Sequence, residues 1–343
     1  MMHAITKEMA SRKEELQSPI ETIYFGGGTP SILHASMIDA MIQAVYKNYT
    51  IVSDPEITLE ANPDDITRTK ADEWKSMGVN RFSIGIQSFS DQHLQWMNRA
   101  HSGLQSLQCI EIIRNAGFDN FSIDLIYGTP GQSIHDWQQD LEQAIDLQIP
   151  HLSCYALTVE QETPLYHLIK KGAKEKVSTE LQAEAFQLLV SITKAAKYRH
   201  YEISNFALPG MESKHNSAYW HGKPYLGFGP SAHSFSDRVR SWNISNNIQY
   251  LQSIESNHRN AEMERLTEMD LLNEYIMTHL RLDVGISAEA IKGRWGTDQV
   301  QRIESKMVGY EQLEKVVKTT EGWKLTDNGK FFADGIAADL FWV

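Results

Sequence analysis

Cysteine is nearly absent. Two residues, Cys109 and Cys154, occur in 343, which excludes a disulfide framework. Basic residues are in the minority: 32 Lys and Arg stand against 44 Asp and Glu, for a formal net charge of -12. With no long Lys/Arg run, that balance argues against nonspecific nucleic-acid binding and against a polybasic membrane patch. No uninterrupted apolar stretch reaches spanning length, and mean hydropathy is -0.40. The first residues, MMHAITKEMASRKEELQS, carry both charge signs and no apolar signal core. A cytoplasmic protein is the expectation.

What is present is a regular alternation. β-rich runs recur at TIYFGGG (22–28), EITLEAN (56–62), RFSIGIQSF (81–89), FSIDLIYG (121–128), HLSCYALT (151–158) and HYEISNFA (200–207). Helix-like stretches lie between them, and two of these end on Gly78 and Gly117, where a helix commonly stops. Strand and helix in this rhythm predict βα units and a parallel sheet. Several strands finish in polar residues: Gly26 to Thr29, Glu60 and Asn62, Gln87 and Ser88, Asp124, Ser204 and Asn205. In barrel-like α/β folds the carboxyl ends of the strands build the site.

From about 208 to 260 periodicity fades and aromatics, Gly and Asn accumulate, the texture of a long functional loop or a small irregular subdomain. Helical patterns return from Leu266, and EGWKLTDNGKFFADGI reads as a closing hairpin. Three helices and a β-ribbon predict a winged-helix-like domain, too acidic to favour DNA. The expected organisation is a barrel over 1–207, an irregular region over 208–260 and a C-terminal domain over 261–343.

The glycine triplet in ETIYFGGGTPSIL poses its own question. Three glycines where a strand ends exceed the need of a plain turn and point to close approach of backbone to a ligand. Neither the dinucleotide fingerprint nor a Walker A loop is present. Glu60, Gln87, Arg99 and Asp124 form a second set: acids at strand ends accept bonds from an ammonium or from ribose hydroxyls, and an Arg holds a carboxylate. Asp124 lies in an otherwise apolar strand, where an uncompensated carboxylate is costly. A third set, HNSAYWHGKPYLGFGPSAHSFSDRVRSW, offers His215, His221 and His233, several aromatics, and the cations Lys223, Arg238 and Arg240.

GGGTPS, EANPDD, GVNRFSIGIQSF, IDLIYGTPGQ and CYALTVEQETPL, in this order, resemble the radical S-adenosylmethionine (SAM) proteins of the oxygen-independent coproporphyrinogen III oxidase family. HNSAYW resembles that family's heme-chaperone branch. The resemblance implies an α/β fold, a partial (β/α) barrel of the radical SAM type with a small C-terminal helical, winged-helix-like domain. It implies S-adenosyl-L-methionine bound by Gly27, Gly28, Thr29, Glu60, Gln87, Arg99, Asp124 and the backbone of Ala156. Heme would be bound by His215, Asn216, Tyr219 and Trp220, with transfer to recipient hemoproteins, self-association, and contact with the inner face of a membrane. Coproporphyrinogen oxidation by radical chemistry is the alternative activity.

One departure bears on chemistry. The family holds a four-iron four-sulfur cluster on a C-x-x-x-C-x-x-C loop after its first strand, and iron–sulfur clusters need thiolates. That loop is missing here, and MMHAITKEM resembles the helix that follows it. The expectation is a chain without the family's first strand and cluster loop, through a mis-assigned start, a truncated gene or a cut polypeptide. Cys109 and Cys154 are expected to be small buried hydrophobes.

Overall fold

The computed structural model describes residues 1–161 and 163–343; Glu162, within the CYALTVEQETPL motif, lies outside the described residues. Seven strands form one sheet: β1 (Ile20–Phe25), β2 (Ile51–Ala61), β3 (Arg81–Gln87), β4 (Phe121–Tyr127), β5 (His151–Ala156), β6 (Arg199–Glu202) and β7 (Asn205–Ala207). Their order is β1-β2-β3-β4-β5-β7-β6, and β1 to β5 are parallel. The expected βα alternation is therefore present, as an open half-barrel.

Period-two alternation gives the two sheet faces opposite characters. On β3, Phe82, Ile84 and Ile86 are fully buried against the helices, while Ser83, Gly85 and Gln87 turn to the other face and are only half-buried. The outer core collects Trp74, Phe118, Trp137 and the apolar residues of the strands. Its helices are set by capping: Ser102 with Gln105 and Ser133 with Asp136 form reciprocal caps, which satisfy orphan amides at each start. The helices before Gly78 and Gly117 stop as expected, and both glycines have positive φ (96° and 82°).

Three expectations need correction. HYEISNFA is not one strand but a hairpin, β6 and β7, with β7 antiparallel to β5. Glu202 causes the reversal, its carboxylate accepting from the amide of Ser204 at 3.1 Å and the side chain of Asn205 at 2.7 Å. The C-terminal hairpin joins Val316–Lys318 to Gly322–Leu325, and the following residues are helical over Asp327–Lys330 and Ala333–Leu340. The region after 208 is more regular than its composition implies. It holds a short helix, Lys214–Trp220, a ribbon of Val239–Asn243 flanked by His233–Ser236 and Ala261–Arg265, and a helix, Asn247–Glu255.

The first helix, α1 (Met2–Ser11), is present as expected. Toward the end of the chain, helices Glu268–Leu280, Ala288–Trp295 and Thr297–Gln312 surround their own core with the strands Ile286–Ser287, Val316–Lys318 and Gly322–Leu325. This is the winged-helix-like domain. Among the described residues, no helix is long and apolar enough to cross a membrane.

Candidate functional site

The carboxyl ends of the parallel strands converge as the sequence reading requires. Glu60, at the end of β2, accepts from the Tyr24 hydroxyl at 2.6 Å and from the Gly27 amide at 3.1 Å. Gly26 has no room for a side chain: a Cβ there would lie 2.5 Å from a Tyr24 ring carbon and 2.8 Å from a Glu60 oxygen. Gly27 and Gly28 have φ of 79° and 80° and open space around them. The triplet thus combines one close approach with two left-handed turns, a conformation that suits glycine. Thr29 follows at the start of the short helix Pro30–Ile32.

On β3, Gly85 is ringed by polar atoms. A Cβ there would come within 3.0 Å of Gln87 Nε2 and 3.3 Å of Arg99 Nη2. Arg99 donates from Nη2 to Asn62 Oδ1 at 2.7 Å and to the Gly85 carbonyl at 3.2 Å, and its buried Nε has no partner. Gln87 is held at φ 66°, a conformation that a non-glycine residue rarely adopts outside strained or functional positions. Asp124 on β4 pairs in register with Ser153 on β5. Burial first, and Glu60 second, push its carboxyl up to about 7; a hydrogen bond from Ser153 and the charges of Arg81 and Arg99 pull the other way. Ala156, at the end of β5, faces Tyr127 in register. Glu60, Gln87, Arg99 and Asp124 therefore share one mouth with the glycine turn.

His215, Asn216, Tyr219 and Trp220 of the HNSAYW motif lie on the helix Lys214–Trp220, which is anchored by Glu56 of β2. That buried carboxylate accepts from the amides of Lys214 (3.0 Å) and His215 (2.9 Å). The helix presents two faces, as i, i+4 spacing dictates. His215 stacks on Tyr24 (centroids 4.6 Å apart, planes 11°), bonds Thr22 through Nδ1 at 2.8 Å, and meets Tyr219 edge-on. Asn216 and Trp220 instead bond each other and reach Tyr201 and Arg281. Burial, then the charge of Arg81, pushes the His215 imidazole down to about 4.

The other histidines are placed differently. His221 bonds the Ser217 carbonyl near His279, and His233 stacks on Trp242 in the ribbon. The three cations of this region are already paired: Lys223 with Glu21, Arg238 with Glu268, and Arg240 with Glu264 and Glu274.

Below the mouth, along the amino halves of β3, β4 and β5, lies a cavity of about 230 Å³. Tyr24, Arg81, Ser83, Ser122, Ser153 and His215 are among its lining residues. Sequence reasoning missed Tyr24 and Arg81, and named Asn62 only as a polar strand end. Their signal was strand parity: each falls on the same face as Glu60, Gln87 or Asp124.

Both cysteines are buried in the outer core, and burial pushes the Cys109 thiol up to about 12 and the Cys154 thiol higher than usual. Among the described residues no group of three His, Cys, Asp or Glu side chains is placed to hold a metal.

The family model described as the radical SAM superfamily matches residues 3–144, and that of the HemN C-terminal domain matches 266–332. The heme chaperone HemW of Lactococcus lactis is 31% identical over 336 residues, covering 94% of this chain and 88% of that protein. The heme chaperone HemW of Bacillus subtilis is 33% identical over 338 residues, covering 98% and 89%. Among solved structures, coproporphyrinogen III oxidase (HemN) from Escherichia coli, described as a radical SAM enzyme, aligns with a TM-score of 0.84 at 20% identity, covering 99% of this chain and 82% of that one. At that identity the likeness establishes the fold.

Proposed function

The chain belongs to the HemW family of radical SAM proteins, and from that premise we propose that it binds heme beside the helix Lys214–Trp220 and delivers it to recipient hemoproteins. The observation that carries this reading is the state of His215. Its imidazole is kept neutral by burial, oriented by Thr22 and fixed on the Tyr24 ring. With the proton on Nδ1 and donated to Thr22 Oγ1, Nε2 retains the lone pair that an iron accepts. Tyr219 and Tyr225 supply apolar ring surface beside it, as a porphyrin requires.

S-adenosylmethionine fits the mouth as an accessory ligand. Gly27, Gly28 and Thr29 would take its amino-acid end, with Glu60 as the acceptor for an ammonium. Gln87 and Arg99 stand over Gly85 with a donor to spare, and Asp124 and the Ala156 backbone would take the ribose side. The molecule supplies a positive sulfonium, which suits a rim holding Glu60 and Asp124. The family's cluster does not fit the residues described. Three thiolates are needed, and the two cysteines are sealed in the outer core, so no electron-transfer step is assigned to them.

The test is a hemin titration of the purified chain, followed by absorbance, repeated with His215→Ala. Saturable one-to-one binding, weakened about tenfold or more in the variant, is the expected result; tenfold corresponds to ~1.4 kcal/mol. Equal binding by the variant overturns His215 as the ligand.

A further inference from the structure

Arg81 is the first residue of β3 and is 2% exposed. Its Nε and Nη2 have no hydrogen-bond partner. The nearest carboxylate, Glu56, is 3.9 Å from Nε and has both oxygens engaged by the amides of Lys214 and His215. A buried guanidinium left this way is costly unless a further acceptor completes it. Its head lines the cavity of about 230 Å³, where Ser83, Ser122 and Ser153 add hydroxyls and His215 closes one side. Thr58 Oγ1, in register with Arg81, and His151 Nδ1, from the same cavity wall, are likewise buried without partners. Arg81 and His151 thus bring unanswered polar atoms to the wall of one small space, with Thr58 beside Arg81 on the adjoining strand.

We propose that Arg81 binds a carboxylate of a ligand that enters this cavity beside His215. The chemistry favours that group. A carboxylate is planar and matches the two-pronged donor set of a guanidinium. It carries a single negative charge, so in a lumen that already sets Glu56, Glu60 and Asp124 against Arg81 and Arg99 it adds less repulsion than a dianion such as phosphate. Lys223, Arg238 and Arg240, the cations of the HNSAYW stretch, are each held by a carboxylate of the protein, whereas Arg81 is held by none within hydrogen-bonding distance.

Two sources share this chemistry: a propionate of heme, which rests on the function proposed above, and a free small carboxylic acid. One experiment separates them. Hemin and hemin dimethyl ester are titrated into the wild-type chain, Arg81→Gln and Arg81→Lys, and sodium propionate is added to the ligand-free proteins while thermal unfolding is followed, with sodium chloride of equal ionic strength as control. Hemin binding about tenfold tighter than its ester in the wild type, with the difference abolished in Arg81→Gln, assigns the site to a propionate. Equal binding of hemin and ester, with a saturable rise in unfolding temperature from propionate that Arg81→Gln loses, assigns it to a free acid. Equal binding and no propionate effect overturns the proposal and leaves Arg81 to solvent. Absence of hemin binding together with a propionate effect overturns the heme reading and keeps this one. If Arg81→Gln fails to fold, the wild-type comparison and Arg81→Lys, which keeps the charge and loses the fork, decide the outcome.

Discussion

Asp124 carries its carboxyl inside an apolar strand, and its ionisation is linked to folding. Its folded pKa, about 7, lies above the ordinary carboxylate value. Between about pH 4 and about pH 7 the folded chain holds a proton that the unfolded chain has released, so stability falls as pH rises through that window and levels off above it. Asp124→Asn is expected to remove this slope. Urea unfolding at about pH 5 and about pH 8 checks it: the wild type should lose stability relative to the variant at the higher pH, and parallel behaviour would contradict the assignment. Asp124 was visible in the sequence because IDLIYG places one acid among apolar neighbours. Arg81 was not, because an Arg at the head of a strand reads as a surface residue until register sets it beside Thr58 and inside the barrel.

At the scale of elements, α1 shows how a legible helix can hide its purpose. Glu8 and Arg12 look like a solvent-facing i, i+4 pair, yet Glu8 is fully buried and Arg12 is 3% exposed. Glu8 accepts from Arg12 (2.9 Å), Asn243 (2.9 Å), the Tyr250 hydroxyl (2.6 Å) and the Gly229 amide (3.0 Å). One carboxylate thus joins the first helix to the ribbon and to the helix Asn247–Glu255, more than two hundred residues away. Removing it by Glu8→Ala should cost about 3 kcal/mol or more, since three donors and a cation lose their acceptor together. Glu15→Ala, which removes a partner of Arg12 that is 45% exposed, should cost about 1 kcal/mol or less. Denaturant midpoints of the two variants would show the contrast, and similar midpoints would refute it. The β6–β7 hairpin was illegible for a different reason: two short strands joined by Ile203 and Ser204 read as one continuous strand, and the turn between them is held by the Glu202 side chain.

Across the whole molecule, the half-barrel and the C-terminal domain could be read from periodicity, but the joint between them could not, because it is built from residues far apart in sequence. Arg281 is its centre. Its Nε donates to Glu202 at 3.2 Å, its Nη1 to Asp334 at 2.9 Å, and its guanidinium lies 5.2 Å from the Trp220 ring. The Ile203 amide donates to the Arg281 carbonyl at 3.1 Å, and the Ile203 side chain joins the C-terminal core. Arg281→Ala should therefore loosen three segments at once. Amide hydrogen exchange would report faster exchange over 199–207, 214–220 and 333–340 with β2 to β4 unchanged; unchanged protection in all three would place the joint elsewhere.

The sheet runs from β1 to β6 without returning on itself, and the helix Lys214–Trp220 lies against β1 instead of a further strand. A closed barrel admits only what its bore allows, because widening it means unzipping main-chain bonds. Here one side is a short helix held by side chains, through Thr22, Glu56, a stacked ring, Tyr201 and Arg281. Its packing against β1 involves no strand pairing, so the ladder from β1 to β6 does not depend on it.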